Sequence, residues 1–180
     1  MTALFDSAPG FDQPIAVLKH CHDRIRKQLS TLDKLLQHLP QHGADADACQ
    51  AAAAVLKYFD TAAHNHHADE EEDLLPMLES TAVAEDAALL KQLMPRLLDE
   101  HREMETAWTV LRPQLQAIAD GSGSELSADA VRSFAAMYAG HMETEEGHIA
   151  PMAKRLFSER QMAALGQAMQ ARRGINSSQG

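Results

Sequence analysis

Apolar residues recur along this chain at steps of three and four, the spacing that keeps side chains on one face of a helix. One stripe runs Leu18, His22, Ile25, Leu29, Leu32, Leu36, and a second runs Val55, Phe59, Ala62, His66, Glu70. A third is Leu90, Met94, Leu97, His101, Met104, Trp108, Leu111, Leu115, Ile118. The fourth is Val131, Phe134, Tyr138, His141, Glu145, His148, Met152. Each stripe is interrupted by histidine. Breakers at Pro9-Gly10, Pro40 to Asp47 and Asp120 to Ser124, with a softer one at Ser80 to Glu85, separate the stripes. The pattern predicts helices near 14–38, 48–79, 86–119 and 128–157, with Pro14 in a first turn and Ser127 as an N-cap. Ser158 can cap a short fifth helix over 159–172, ended by Gly174. The expected organisation is an N-terminal arm over 1–13, a helical unit over 14–157, and a short helix with a frayed tail over 158–180.

Aromatic residues make up only 4% of the chain, and Ala, Leu, Met, Gln and Glu dominate, so no segment has strand character. The class is all-α, and four amphipathic helices with short links predict an up-down-up-down four-helix bundle. Their stripes face one interior, where the polar interruptions meet in a single layer. A length of 180 residues suits one domain with a sizeable core. The formal charge of −10 has the wrong sign for gripping a phosphate backbone, which argues against a nucleic-acid partner. No apolar run approaches the roughly 20 residues that cross a bilayer, and the first residues lack a signal-peptide pattern. A cytoplasmic protein without membrane attachment is the resulting expectation. Two cysteines, Cys21 and Cys49, are too few for a disulfide framework or a thiolate zinc site.

The unusual residue is histidine, with 10 in the chain. His66-His-Ala-Asp-Glu-Glu-Glu-Asp-Leu-Leu-Pro-Met77 and His141-Met-Glu-Thr-Glu-Glu-Gly-His-Ile-Ala-Pro-Met152 share the frame His-x-x-x-Glu-Glu-x-x-(Leu/Ile)-x-Pro-Met, and Phe59 and Phe134 keep the same offset. A step of four stacks His66 on Glu70 and His141 on Glu145. About 0.7 such His/Glu pairs are expected by chance from this composition. Four occur: His66/Glu70, His67/Glu71, His101/Glu105 and His141/Glu145. Buried imidazoles and carboxylates are expensive unless something satisfies them, and a metal does. Imidazole with carboxylate suits iron, zinc or manganese, and two bridging carboxylates suit a pair of ions. The Glu-x-x-His spacing of ferritin-type bundles occurs only at Glu145 to His148, a poor match to that arrangement. His67/Glu71 lies about 100° off the Phe59 stripe and is placed outside the layer. His148 reads as a packed or bundle-end histidine, and Asp69 to Asp73 as a solvated face with Glu70 turned inward. His20, His38, His42 and His64 read as surface or loop residues, and Met77, Met94, Met104 and Met152 as gap-filling core. Pro76 and Pro151 mark a kink or a helix end.

These residues resemble the hemerythrin-like, or HHE cation-binding, domain, from about Ile15 to Met152. Leu18-x-x-x-His22-Asp-x-Ile25 is similar to its first-helix motif, the two repeated segments to its second and fourth, and Glu100-His101-Arg102 to its third. The resemblance implies a non-haem di-iron centre with His22, His66, His101 and His141 as terminal ligands. It implies Glu70 and Glu145 as bridges, completed by an oxo or hydroxo group. Oxygen-carrying members place a second histidine four residues after the third-helix one, where this chain has Glu105, either an added ligand or a solvated neighbour. The chain is more similar to bacterial members with four His and two Glu, which include iron-cluster repair and nitric-oxide-response proteins, without the N-terminal cysteine motif of the repair proteins. The expected function is binding or sensing of oxygen, nitric oxide or a related small oxidant, or iron handling. The alternatives are an enzyme turning over peroxide or nitric oxide, and a metal-dependent sensor or adaptor.

Overall fold

The structure, a computed structural model, describes residues 8–175. Residues 1–7 of the expected arm and 176–180 of the expected tail lie outside them. Five helices form, with no strand among the described residues. Helix α1 is Pro14–His42, α2 covers 46–81, α3 is Ala84–Ala119, α4 covers 128–156 and α5 is Glu159–Arg172. The caps follow the sequence: Pro14 sits in the first turn of α1, and Ser127 and Ser158 accept from the N–H groups of Ala130 and Gln161. Asp45 caps α2 in the same way through Ala48. Helix α1 passes beyond the expected end, because Pro40 is accepted near its C-terminus, and it stops at Gly43, whose φ of 63° few other residues adopt.

Helices α1 to α4 pack in a ring, each against the next and α4 against α1, which gives the all-α bundle that the four stripes predict. Helix α5 lies across the outside, against α1 and the middle of α2. It comes so close to the segment before α1 that a Cβ on Gly166 would meet the carbonyl oxygen of Phe11. Two apolar clusters fill the bundle. One contains Phe59, Trp108, Phe134 and Tyr138, with Leu32 and Leu115 beyond them. The other contains Leu18, Leu75, Leu78, Leu97 and Ile149, joined by Leu165 and Met169 of α5. The polar layer lies between them.

Helices α2 and α4 are not uniformly α-helical. Helix α2 contains π-turns at Tyr58–Ala62 and Asp69–Leu74, and α4 contains one at Glu145–Ile149. In the last two, the N–H of Leu75 reaches the carbonyl of Glu70, and that of Ala150 reaches the carbonyl of Glu145, five residues back. Each π bond lies immediately before a proline, which has no N–H to continue an α ladder. Pro76 and Pro151 therefore do not end their helices; both continue, to Thr81 and Leu156. The extra residue in each turn also shifts the seam. Ala63 rather than Ala62 is buried after Phe59, and Ile149 rather than His148 after Glu145. His148 is exposed, so of the packed and bundle-end alternatives the packed one does not hold.

Candidate metal centre

Each bundle helix brings one histidine to the polar layer: His22 on α1, His66 on α2, His101 on α3 and His141 on α4. The π-turns of α2 and α4 add Glu70 and Glu145. All six residues are at most 4% exposed. Their ligand-type atoms form two overlapping quartets in which every atom lies within 4.8 Å of the others. One quartet is His22, His66, Glu70 and Glu145, and the other is Glu70, His101, His141 and Glu145. Both carboxylates belong to both quartets, so the layer offers two adjacent positions with two imidazoles each.

The atoms converge, and not all of them pair off. His66 Nε2 lies 3.1 Å from Glu70 Oε1, and Glu70 Oε2 lies 3.3 Å from His101 Nε2. Glu145 Oε1 lies 3.4 Å from His141 Nε2. Yet His66 Nε2, Glu70 Oε2 and Glu145 Oε1 are buried with no hydrogen bond. His101 Nε2 and His141 Nε2 are only 2.9 Å apart. These two imidazoles are hydrogen-bonded to each other, and His22 Nε2 to Glu145 Oε2 at 3.0 Å, while the three unpaired atoms aim into the space between the groups. An unpaired buried polar atom costs about 1–3 kcal/mol, so the donor set fits cations placed between the groups.

Three of the histidines are held from behind by carboxylates on other helices. The Nδ1 atom of His22 lies 2.9 Å from Glu146, that of His101 2.6 Å from Glu71, and that of His141 2.9 Å from Glu100. With Nδ1–H donating to the carboxylate, Nε2 keeps its lone pair toward the centre. Arg26 and Arg96 in turn donate to Glu146 and Glu100. Burial works against the negative charge of both, but hydrogen bonds from His22 and then Arg26 to Glu146, and from His141 and then Arg96 to Glu100, hold the two carboxyls below their ordinary range. His66 differs, because its Nδ1 has no partner.

The repeated Glu-Glu pair thus has a division of labour that the sequence did not show. The first glutamate turns into the centre, and the second orients a histidine on a neighbouring helix: Glu71 on α2 serves His101 of α3, and Glu146 on α4 serves His22 of α1. The frame itself was the available signal, since Glu71 and Glu146 repeat at the same offset as Glu70 and Glu145. Asp69 is a further correction. It is fully buried, and not part of a solvated face. Arg172 and Arg173 at the end of α5 both donate to it, and Arg172 also reaches Glu72 and Asp73. His67 stacks on His101, with ring centroids 4.0 Å apart and its own Nε2 unpaired. Glu105 is exposed and belongs to neither quartet. It lines a cleft of about 250 Å³ between α2 and α3, together with His67 and Glu71.

Electrostatics distinguish the two central carboxylates. Burial and then the charge of Glu145 push the Glu70 carboxyl well above its usual range. Burial acts on Glu145 in the same sense, but His141 and His22 outweigh it and hold Glu145 well below that range. His22 and His141 are raised: burial lowers both, and contact with Glu145 more than compensates. His66 is driven well down by burial and by the neighbouring His22. The layer thus favours the protonated form at Glu70, His22 and His141 and the ionised form at Glu145.

Residues 13–153 match the family described as hemerythrin HHE cation binding domain. An uncharacterized protein of Haemophilus influenzae is 26% identical over 165 residues, covering 92% of each chain. The family match spans the four helices that supply the quartets, and the buried His/Glu layer supplies donors suited to a metal cation. The chain belongs to the hemerythrin HHE cation-binding domain family.

Proposed function

We propose that this chain holds two iron ions, His22 and His66 on one and His101 and His141 on the other, with Glu70 and Glu145 bridging both. With them it binds or senses oxygen, nitric oxide or a related small oxidant, or handles iron. The observation that carries the proposal is the pair of buried quartets sharing both carboxylates, in which His66 Nε2, Glu70 Oε2 and Glu145 Oε1 have no hydrogen bond. Iron in such a nitrogen and oxygen environment supplies one-electron chemistry and an open position for a small ligand.

The protein's own residues prepare that environment. Glu71, Glu100 and Glu146 fix three imidazole rings, so that their Nε2 atoms need not reorient when a cation arrives. Glu70 gives up the proton that burial favours, and His22 and His141 do the same, which ties cation uptake to proton release. The apolar clusters above and below cover the layer along the bundle axis. The test is metal content per chain with the visible spectrum, on protein loaded with ferrous iron without oxygen and then exposed to air. Two irons per chain with absorption that bleaches on reduction is the expected result. Zinc preference, a single ion or no retained metal overturns the proposal.

A sensor role is favoured by one further observation: Asp69, next to Glu70, is held by Arg172 and Arg173 of α5. A change at the centre is therefore one residue away from the anchor of the C-terminal helix. Amide exchange in α5 that differs between loaded and metal-free protein supports this second role, and identical exchange removes it.

A further inference from the structure

A cleft of about 310 Å³ opens between α1 and α4, and its floor is the centre itself: His22, Glu70 and Glu145 line it. Ile15, Leu18, Leu74 and Ile149 also line it and give it a largely apolar wall. A space for one water takes about 15 Å³ on the same measure, so the cleft is many times larger than oxygen or nitric oxide requires. It reaches the size at which small-molecule sites begin, about 300 Å³.

Charge along the cleft is polarised. The floor is acidic, with the oxygens Glu70 Oε2 and Glu145 Oε1 unpaired. At the rim stand two of the six lysines of a chain with net charge −10. Lys19 is mostly exposed and makes a long ion pair of 3.5 Å with the exposed Asp23, and Lys154 is exposed. Glu146 also lines the cleft, but its carboxylate is engaged by His22 and Arg26. The cleft between α2 and α3, across the bundle, is more acidic at its rim: Glu71, Glu72 and Glu105 line it with His64 and His67, and its one fixed cation, Arg102, is paired with Asp99.

We propose that the α1/α4 cleft binds an organic monocarboxylate, its unbranched apolar chain lying against Ile15, Leu18, Leu74 and Ile149 and its carboxylate at Lys19 and Lys154. The far end of the chain then points at the Glu70/Glu145 floor. This gives the proposed iron centre an organic substrate class, and in that respect it rests on the centre; occupancy of the cleft does not need iron.

The probes are octanoate, octan-1-ol and octylammonium, titrated into the full chain, metal-free and iron-loaded. Binding is read by calorimetry and by the methyl signals of Ile15 and Ile149. Octanoate is expected to shift both methyls in metal-free protein and to bind about tenfold more tightly than the alcohol, with the ammonium weakest. The Lys19→Glu/Lys154→Glu double variant should weaken octanoate by about tenfold and leave the alcohol unchanged. Equal binding of acid and alcohol, an unchanged affinity in the double variant, or methyl shifts confined to other residues overturns the proposal. So does octanoate binding that appears only with iron, since the carboxylate would then sit on the metal and not at the rim. Iron counted in the same samples separates failure of the centre from failure of the cleft: octanoate binding to a chain that retains no iron leaves the cleft standing alone.

Discussion

The segments around Glu70 and Glu145 are two copies of one sequence frame, and they fold alike but are held differently. Both form a π-turn, both send one glutamate inward and the next to a neighbouring histidine, and both continue through a proline. Around Glu70, however, α5 closes over the turn and anchors Asp69 with two arginines. Around Glu145 the equivalent position is Thr144, which bonds only within its own helix, to the carbonyl of Gly140. The carboxyls respond to their surroundings, Glu70 pushed up and Glu145 held down. Local sequence sets the backbone of a repeat, and the neighbours that each copy meets set its charge.

The largest effect should come from making the copies equal by loss. Glu70→Ala or Glu145→Ala removes an atom pair used by both quartets, so each variant should retain at most one ion per chain in metal analysis, whereas His148→Ala should retain the full complement. Loss of metal should also abolish the stabilisation that a tightly held ligand gives, about 4 kcal/mol at a thousandfold excess over its Kd. Equal retention in Glu70→Ala and wild type would break the symmetric view of the two bridges.

Next is the anchor found on one copy only. Arg172→Ala/Arg173→Ala leaves a buried carboxylate uncompensated and should cost about 3 kcal/mol in urea unfolding. Thr144→Val at the matching position should change stability by less than about 0.5 kcal/mol. Similar costs at both positions would show that α5 does not distinguish the repeats.

The second glutamates should behave alike in both copies. Glu71→Gln and Glu146→Gln should each lower metal affinity by about tenfold or more, measured by competition with a chelator. A loss in only one of them would mean that the two outer contacts are not equivalent.

The smallest effect is a slope. His22 and His141 have folded pKa values above their ordinary 6.5. Their contribution is complete below that value and is lost as pH rises through the folded pKa, by up to about 1.4 kcal/mol per pH unit for each group. Metal-free protein should therefore lose stability as pH rises above about 6.5. Metal affinity should move the other way, because the same protons leave on binding. A metal-free protein whose stability rises over that range would contradict the shifts.

The bundle and the meeting of its polar positions were legible because helix periodicity is local: four stripes, each with a histidine at a seam position, need no knowledge of partners. What sequence did not show depended on a single inserted residue or on another helix. Periodicity treats Ala62 and Ala63, or His148 and Ile149, as nearly equivalent, and only the π-turn decides between them. Sequence places Glu71 outside the layer and gives Glu146 no role, because their partners are on helices remote in sequence. Asp69 looked solvated because the arginines that bury it lie about a hundred residues away. Nothing in the run from Asp69 to Asp73 distinguishes its first member from the rest.

The π-turns also bear on which changes of length the chain can accept. A π-turn is one residue longer than the α-turn it replaces. Deleting a residue from 71–73 or 146–148 would let the ladder revert to α, and everything downstream would rotate by about 100° and retreat by about 1.5 Å. The prolines would then face an α ladder that they cannot complete. A single-codon deletion there should do more harm than most substitutions at the same positions, although Glu72, Gly147 and His148 are not among the ligand atoms. In this protein the register of the centre is kept by residue count as much as by residue type.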